Sequence, residues 1–153
     1  MNRSDSQIME TLLRRSGWRR VWRPEEADVL ILNTCNVKTP TEQRMIHRAR
    51  VLSRHGPLVA TGCMAKSQPE LLRPHARVLV APRSLDSIVE GASLALRGER
   101  AEFLGWRRID KASYERDPID LVGIVPIAEG CLGSCTYCIT TVSYTHLTLP
   151  TKA

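Results

Sequence analysis

The sequence has few aromatic residues, no long apolar run and an odd number of cysteines. Aromatic side chains make up 5% of the chain, so its core must be mostly aliphatic. No stretch reaches the roughly 20 apolar residues that span a bilayer. The polar start "MNRSDSQIME" also lacks the pattern of a signal peptide. We therefore expect a cytoplasmic protein without membrane contact, in which five cysteines do not form a fully paired disulfide framework.

The composition is that of an ordinary but basic globular protein. With 153 residues, the chain can form one domain with a core, or one small domain plus a fragment. The 22 Lys and Arg residues exceed the 16 Asp and Glu residues, which gives a net charge of +6. This excess fits a polyanionic partner such as nucleic acid, although an arginine-rich solvated surface explains it nearly as well.

Apolar runs of strand length alternate with helical patterns over residues 4–97. The runs "ADVLILNTC", "PLVATGC" and "ARVLVA" are typical of strands buried on both faces. Their alternation with helices predicts an α/β fold with a parallel, doubly wound sheet. Residues 98–120 are charged and lack clean periodicity, which predicts a linker. Within it, Phe103, Trp106 and Tyr114 either stack on bases or hold the linker against the domain.

Cys35 and Cys63 each come directly after a predicted core strand. In open parallel sheets, ligands bind beyond the carboxyl ends of the strands, so two neighbouring strands would bring both sulfurs to one edge. The alternative is a pair of unrelated buried cysteines, which are common. No strand precedes the first helix. A strand there would end at the same edge, where a third ligand could stand.

Cys131, Cys135 and Cys138 have the spacing C-x3-C-x2-C and follow a further apolar run, "LVGIVPIAEGC". In a reducing compartment, such cysteines favour metal or redox chemistry. A structural zinc site needs four ligands, and His146 is a candidate for the fourth. A ferredoxin-type cluster also needs a fourth cysteine. Three thiolates on a four-iron cube would leave one iron open for a non-protein ligand.

This spacing resembles the radical S-adenosylmethionine superfamily, whose cysteine loop follows the first strand of a partial TIM-type barrel. The resemblance implies that Cys131, Cys135 and Cys138 bind a [4Fe-4S] cluster. It also implies that the open iron binds S-adenosylmethionine, which the cluster reduces and cleaves. Tyr137 stands before the last cysteine and is expected to pack near this cofactor.

The upstream segments "NRSDSQIM", "ADVLILNTCNVKTPTE" and "VATGCMA" resemble the N-terminal domain of the methylthiotransferases. In that family, three cysteines bind an auxiliary [4Fe-4S] cluster. The resemblance implies that Cys35 and Cys63 are its second and third ligands. It places the first ligand, a cysteine, three residues before Asn2 and thus ahead of Met1. The segment "IVPIAEGCLGSCTYCIT" is most similar to the archaeal and eukaryotic type, which converts N6-threonylcarbamoyladenosine at position 37 of tRNA to its 2-methylthio form.

The resemblance also implies a domain organisation. Residues 1–97 would be the methylthiotransferase N-terminal domain without its first strand, residues 98–120 the linker, and residues 121–140 the start of the radical S-adenosylmethionine domain. Residues 141–153, "TVSYTHLTLPTKA", resemble translated adapter sequence and are expected to be a non-native tail. We therefore expect a fragment that is truncated at both ends and inactive by itself.

The function implied for the parent protein is that of a transferase with two [4Fe-4S] clusters and S-adenosylmethionine as cofactors. Its expected partners are tRNA, through adenosine 37 of the anticodon loop, and a reductant protein that supplies electrons. We expect it to be a monomer. One alternative is a methylthiotransferase that acts on isopentenyladenosine-37 of tRNA or on a ribosomal protein. Alternatives of another class are a small zinc-binding or electron-transfer protein, and an α/β interaction module with incidental cysteines.

Overall fold

The computed structural model describes residues 3–35, 39–107, 110–111, 113–114, 124, 135 and 138. The described chain forms one parallel sheet flanked by helices. In chain order, its main elements are α1 (Arg3–Arg15), β1 (Leu30–Thr34), α2 (Thr39–Leu52), β2 (Leu58–Gly62), α3 (Cys63–Ser67), α4 (Pro69–Leu72), β3 (Val78–Val80), α5 (Ile88–Leu96) and β4 (Ala101–Phe103). Two short 3₁₀ turns, Pro24–Glu26 and Leu85–Ser87, precede β1 and α5.

The four strands lie in the order β1-β2-β3-β4, and every neighbouring pair is parallel. The predicted parallel α/β fold is therefore confirmed. β1 and β4 are the edge strands of the sheet that the described residues form. All the carboxyl ends of the strands consequently lie at one edge of the fold, which is where ligands bind in sheets of this kind.

Side chains alternate between the two faces of the sheet, as the pleat requires. Leu32, Ala60 and Leu79 point into a cluster that also contains side chains of α2, α3 and α4. Val59 and Val80 point into a second cluster, which contains side chains of α1 and α5. Helices thus cover both faces, and the sheet is doubly wound as predicted. Within the described residues, no helix is long and apolar enough to cross a membrane.

The segment 98–120, which the sequence predicts to be a linker, contributes a strand to the sheet. Residues Ala101–Phe103 form β4, which pairs with β3. This part of the linker interpretation is therefore corrected. Phe103 and Tyr114 pack against the second cluster, so these two rings hold the segment against the domain, whereas Trp106 is 50% exposed. A three-residue strand with a central glutamate shows too little periodicity to be found from the sequence.

Candidate metal centre

Cys35 and Cys63 lie one residue beyond a paired position at the carboxyl ends of β1 and β2. Thr34 pairs with Gly62 in the parallel register, and neighbouring strands lie about 4.8 Å apart. The structure therefore brings the two cysteines to the same edge of the sheet, in agreement with the expectation from the apolar runs. Cys35 is 8% exposed and Cys63 is half-buried, and neither cysteine is part of a disulfide.

Gly62 sets the turn that leads from β2 into Cys63. Its φ of +92° lies in a region that L side chains rarely adopt. A Cβ at this position would overlap the carbonyl oxygen of Thr34 and would lie 2.5 Å from Oδ1 of Asn33. Glycine is thus the residue that lets the ends of the two cysteine-bearing strands approach each other. Cys63 then begins α3 directly, without an intervening loop.

Two side-chain hydrogen bonds fix the backbone around these cysteines. Thr34 Oγ1 donates to the carbonyl oxygen of Thr61 at 2.6 Å in the buried interior, which joins β1 to β2 close to their carboxyl ends. Ser67 Oγ donates to the carbonyl oxygen of Cys63 at 3.0 Å, which closes the single turn of α3. Both bonds restrain the backbone next to a candidate ligand, so the two thiols stand on a rigid support.

The first turns of α1 lie at the same end of β1. Asn33 Nδ2 donates to Ser6 Oγ at 2.9 Å. One residue earlier on the helix, Asp5 forms a buried ion pair with Lys111. The Nζ atom of Lys111 lies 2.9 Å from Oδ1 and 3.0 Å from Oδ2 of Asp5. The side chains of Lys111 and Asp5 are 5% and 3% exposed. This pair fastens the chain beyond β4 to the start of α1.

The second predicted ligand set is described only in part. Cys131, Tyr137 and His146 lie outside the described residues. Cys135 is exposed and Cys138 is half-buried, and the backbone N–H of Cys138 donates to the carbonyl oxygen of Cys135 at 3.1 Å. This backbone hydrogen bond links the two cysteines, and neither of them is part of a disulfide. The assignment of these residues to a cluster and to S-adenosylmethionine stays a prediction.

The donor chemistry at the sheet edge fits part of an iron–sulfur site. Thiolates are the usual ligands of such clusters, and Cys35 and Cys63 provide two of the three that the family resemblance implies. Within the part of the chain that the structure describes, no group of three or more His, Cys, Asp or Glu side chains is arranged to hold a metal ion. The site would need a further cysteine beside these two.

Residues 1–81 match the uncharacterized protein family UPF0004. The chain belongs to this family. The UPF0004 match includes α1, the first three strands and both Cys35 and Cys63, and it ends one residue after β3. In the structure, α5 and β4 extend the UPF0004 sheet and its second core cluster beyond the matched residues.

Curated relatives of this UPF0004 chain are named as methylthiotransferases or as a methylthio synthase. It is 38% identical over 144 residues to the probable threonylcarbamoyladenosine tRNA methylthiotransferase of Pyrococcus horikoshii, a match that covers 91% of this chain and 34% of the relative. It is 31% identical over 152 residues to the threonylcarbamoyladenosine tRNA methylthiotransferase of Xenopus laevis, covering 91% of this chain and 27% of the relative.

A third relative carries a different substrate in its name. The chain is 32% identical over 157 residues to the tRNA-2-methylthio-N(6)-dimethylallyladenosine synthase of Anaplasma phagocytophilum, covering 95% of this chain and 35% of the relative. The chain thus spans about a third of the length of these relatives. The resemblance to the methylthiotransferase family is confirmed.

Sequence reasoning did not find the buried pair of Asp5 and Lys111. The two residues are 106 positions apart, and neither belongs to a local pattern that indicates burial. The sequence does not single out Gly62 either, because the need for glycine there depends on how closely β1 approaches. Such long-range relations have no signal in a single sequence.

Proposed function

We propose that the full-length protein of this UPF0004 chain is a tRNA methylthiotransferase that converts N6-threonylcarbamoyladenosine-37 to its 2-methylthio derivative. The observation that carries the proposal is the placement of Cys35 and Cys63 beyond neighbouring parallel strands, in a chain whose relatives are named for this reaction. Because the chain spans about a third of those relatives, the activity is proposed for the complete protein.

The proposed cofactors are two [4Fe-4S] clusters and S-adenosylmethionine. When bound, they supply the electron transfer, the hydrogen abstraction from the adenine and the methylthio group. The chain's own residues hold and orient them. Cys35 and Cys63 would hold the auxiliary cluster, and the low exposure of Cys35 would keep water from its thiolate. Cys131, Cys135 and Cys138 would hold the other cluster, with Tyr137 beside the S-adenosylmethionine.

The remaining proposed properties concern the setting of the enzyme. It would work as a monomer in the cytoplasm, where a reducing environment keeps cysteines available as metal ligands. A reductant protein would supply the electrons, and tRNA would be bound through its anticodon loop. The excess of basic residues suits that partner.

Alanine variants of the two cysteine sets are expected to fail differently in the full-length protein. Cys135→Ala should abolish cleavage of S-adenosylmethionine, because the cluster that binds this cofactor loses a ligand. Cys35→Ala and Cys63→Ala should retain cleavage but lose the methylthio product, because only the auxiliary cluster is damaged. Mass spectrometry of tRNA nucleosides, together with an assay of 5'-deoxyadenosine, measures both outcomes.

The matched control is His47→Ala, which removes an exposed potential ligand on α2 that belongs to neither cysteine set. This variant should retain cleavage and product. Full methylthio product from Cys35→Ala would show that Cys35 is not a cluster ligand. A colourless protein that takes up zinc under anaerobic reconstitution with iron, sulfide and zinc would instead support the zinc-binding alternative.

The name of the Anaplasma phagocytophilum relative favours one second substrate, dimethylallyladenosine-37. We give the threonylcarbamoyl substrate first because the relatives named for it reach 38% identity, against 32% for that synthase. Presenting the full-length enzyme with tRNAs that carry either modification separates the two. A methylthio product on the dimethylallyl tRNA alone would overturn the substrate assignment and leave the reaction class intact.

A further inference from the structure

A basic and aromatic surface lies between α1 and β1, on the edge of the sheet formed by β1. The segment "RRSGWRRVWR", residues 14–23, has five arginines, two tryptophans and no acidic residue. Together with one face of α1, it borders a groove of about 370 Å³. Five exposed arginine and tryptophan residues of this segment line the groove, and we call them the arginine–tryptophan patch: Arg14, Arg19, Arg20, Trp22 and Arg23.

Trp22 is the most unusual member of the patch. Its side chain is 81% exposed, although large aromatic residues are highly buried on average. The guanidinium of Arg20 lies over its ring, 4.2 Å from the centroid. Glu10 on α1 holds that guanidinium by accepting hydrogen bonds of 3.1 and 3.2 Å. One face of the indole is thus supported by a fixed cation, while the ring presents most of its area to solvent.

The charge of the groove is strongly positive. Four arginines border it, against Glu10 as the one acidic residue among the described residues that line it. Arginine presents a planar fork of donors that matches phosphate oxygens. Leu13, Val29 and Ile31 add apolar surface between the charges. A ligand that fits this combination has a flat apolar part and several negative charges.

We propose that the arginine–tryptophan patch binds single-stranded RNA, with one base stacked on Trp22 and the flanking phosphates on the arginines. Interleaved aromatic and basic side chains are the usual platform for unpaired nucleotides. An acidic peptide would leave the exposed indole unused, and a membrane surface would require a wider apolar face than one tryptophan. The choice of RNA over DNA rests on the proposed function.

The test uses fluorescence anisotropy of a labelled single-stranded RNA of about ten nucleotides with the 153-residue chain. Trp22→Ala should weaken binding about 5- to 150-fold, the loss that corresponds to one base stacked on an aromatic ring. Trp22→Phe should restore most of the affinity, because a phenyl ring also stacks. Circular dichroism checks the fold, which an 81% exposed side chain should not affect.

Matched controls exist on the opposite edge of the sheet. Trp106 follows β4 and is 50% exposed, so Trp106→Ala removes an exposed indole that is remote from the patch. Arg19→Gln removes a positive charge from the patch, and Arg100→Gln removes one from an exposed arginine outside it. Each lost phosphate contact should reduce the size of the negative slope of log association constant against log salt concentration by about 0.7. We expect this change for Arg19→Gln and not for Arg100→Gln.

The outcomes separate this surface from the proposed enzyme activity, because RNA binding here needs no cluster and no S-adenosylmethionine. Equal affinities of the parent chain and Trp22→Ala would overturn the proposal, and so would a loss of affinity in Trp106→Ala of the same size. Equal binding of duplex RNA would exclude stacking on Trp22. Equal binding of polyglutamate or of anionic vesicles would show a general polyanion surface. None of these results would bear on the cysteine variants of the full-length enzyme.

Discussion

At the scale of single residues, the candidate centre depends on one glycine as much as on its cysteines. Cys35 and Cys63 could be placed from the sequence because each ends a long apolar run, and strand ends in parallel sheets share an edge. The need for Gly62 could not be derived in this way. It comes from the approach of Thr34 in the neighbouring strand, which the structure alone reveals.

Replacing Gly62 by alanine should destabilise the fold by about 3 kcal/mol. The positive φ strains an alanine, and the added Cβ overlaps backbone atoms, so both effects raise the free energy of the folded state. Gly98→Ala is the matched control, since Gly98 has a φ of +81° but no neighbouring atom within 4 Å of an added Cβ. That variant should lose only about 1–2 kcal/mol. Urea unfolding measures both, and equal losses would show that the contact with Thr34 has no energetic weight.

At the scale of elements, strands rich in aliphatic residues were predictable and the short edge strand was not. β1, β2 and β3 lie within apolar runs. β4 has only Ala101 and Phe103 around Glu102, and the Glu102 side chain makes a contact outside the sheet. Arg73, after α4, donates hydrogen bonds of 2.7 and 3.0 Å to the Glu102 carboxylate. This pair joins the edge strand to the segment between α4 and β3.

The Arg73–Glu102 pair predicts a pH dependence confined to β4. The hydrogen bonds from Arg73 hold the pKa of Glu102 below its ordinary value of 4.5. The stabilisation is therefore complete above that pH and is lost as the pH falls through the lowered pKa. Hydrogen exchange of the β4 amides should accelerate with acid in the parent chain, after correction for intrinsic rates, and should not vary with pH in Glu102→Gln.

Glu99→Gln is the control for this experiment, because Glu99 pairs with Arg97 only two residues away and joins no separate elements. It should behave like the parent chain. If Glu102→Gln showed the same acid response as the parent, the ion pair would not be what retains the edge strand.

At the scale of the whole molecule, the alternation of strands and helices predicts the doubly wound sheet, and the two core clusters on its faces follow from the pleat. The sequence does not predict which distant segments close the fold. The pair of Asp5 and Lys111 does this by joining the first turn of α1 to the chain after β4, at the end of the sheet that carries the cysteines. Its partners lie too far apart in the chain for any periodic signal.

Breaking this buried pair should therefore lower the free energy of unfolding by more than breaking an ion pair at the surface would. Lys111→Met removes this cation from beside the buried Asp5 carboxylate, and the loss of one partner of a buried ion pair typically costs about 3–5 kcal/mol. The double variant Asp5→Leu with Lys111→Met removes both charges, so it should be more stable than Lys111→Met alone. A double-mutant cycle by urea unfolding, completed by Asp5→Leu, measures this coupling. If both single variants unfolded within about 0.5 kcal/mol of the parent chain, which is the usual effect of a surface substitution, the segment after β4 would not be fastened to α1 through this pair.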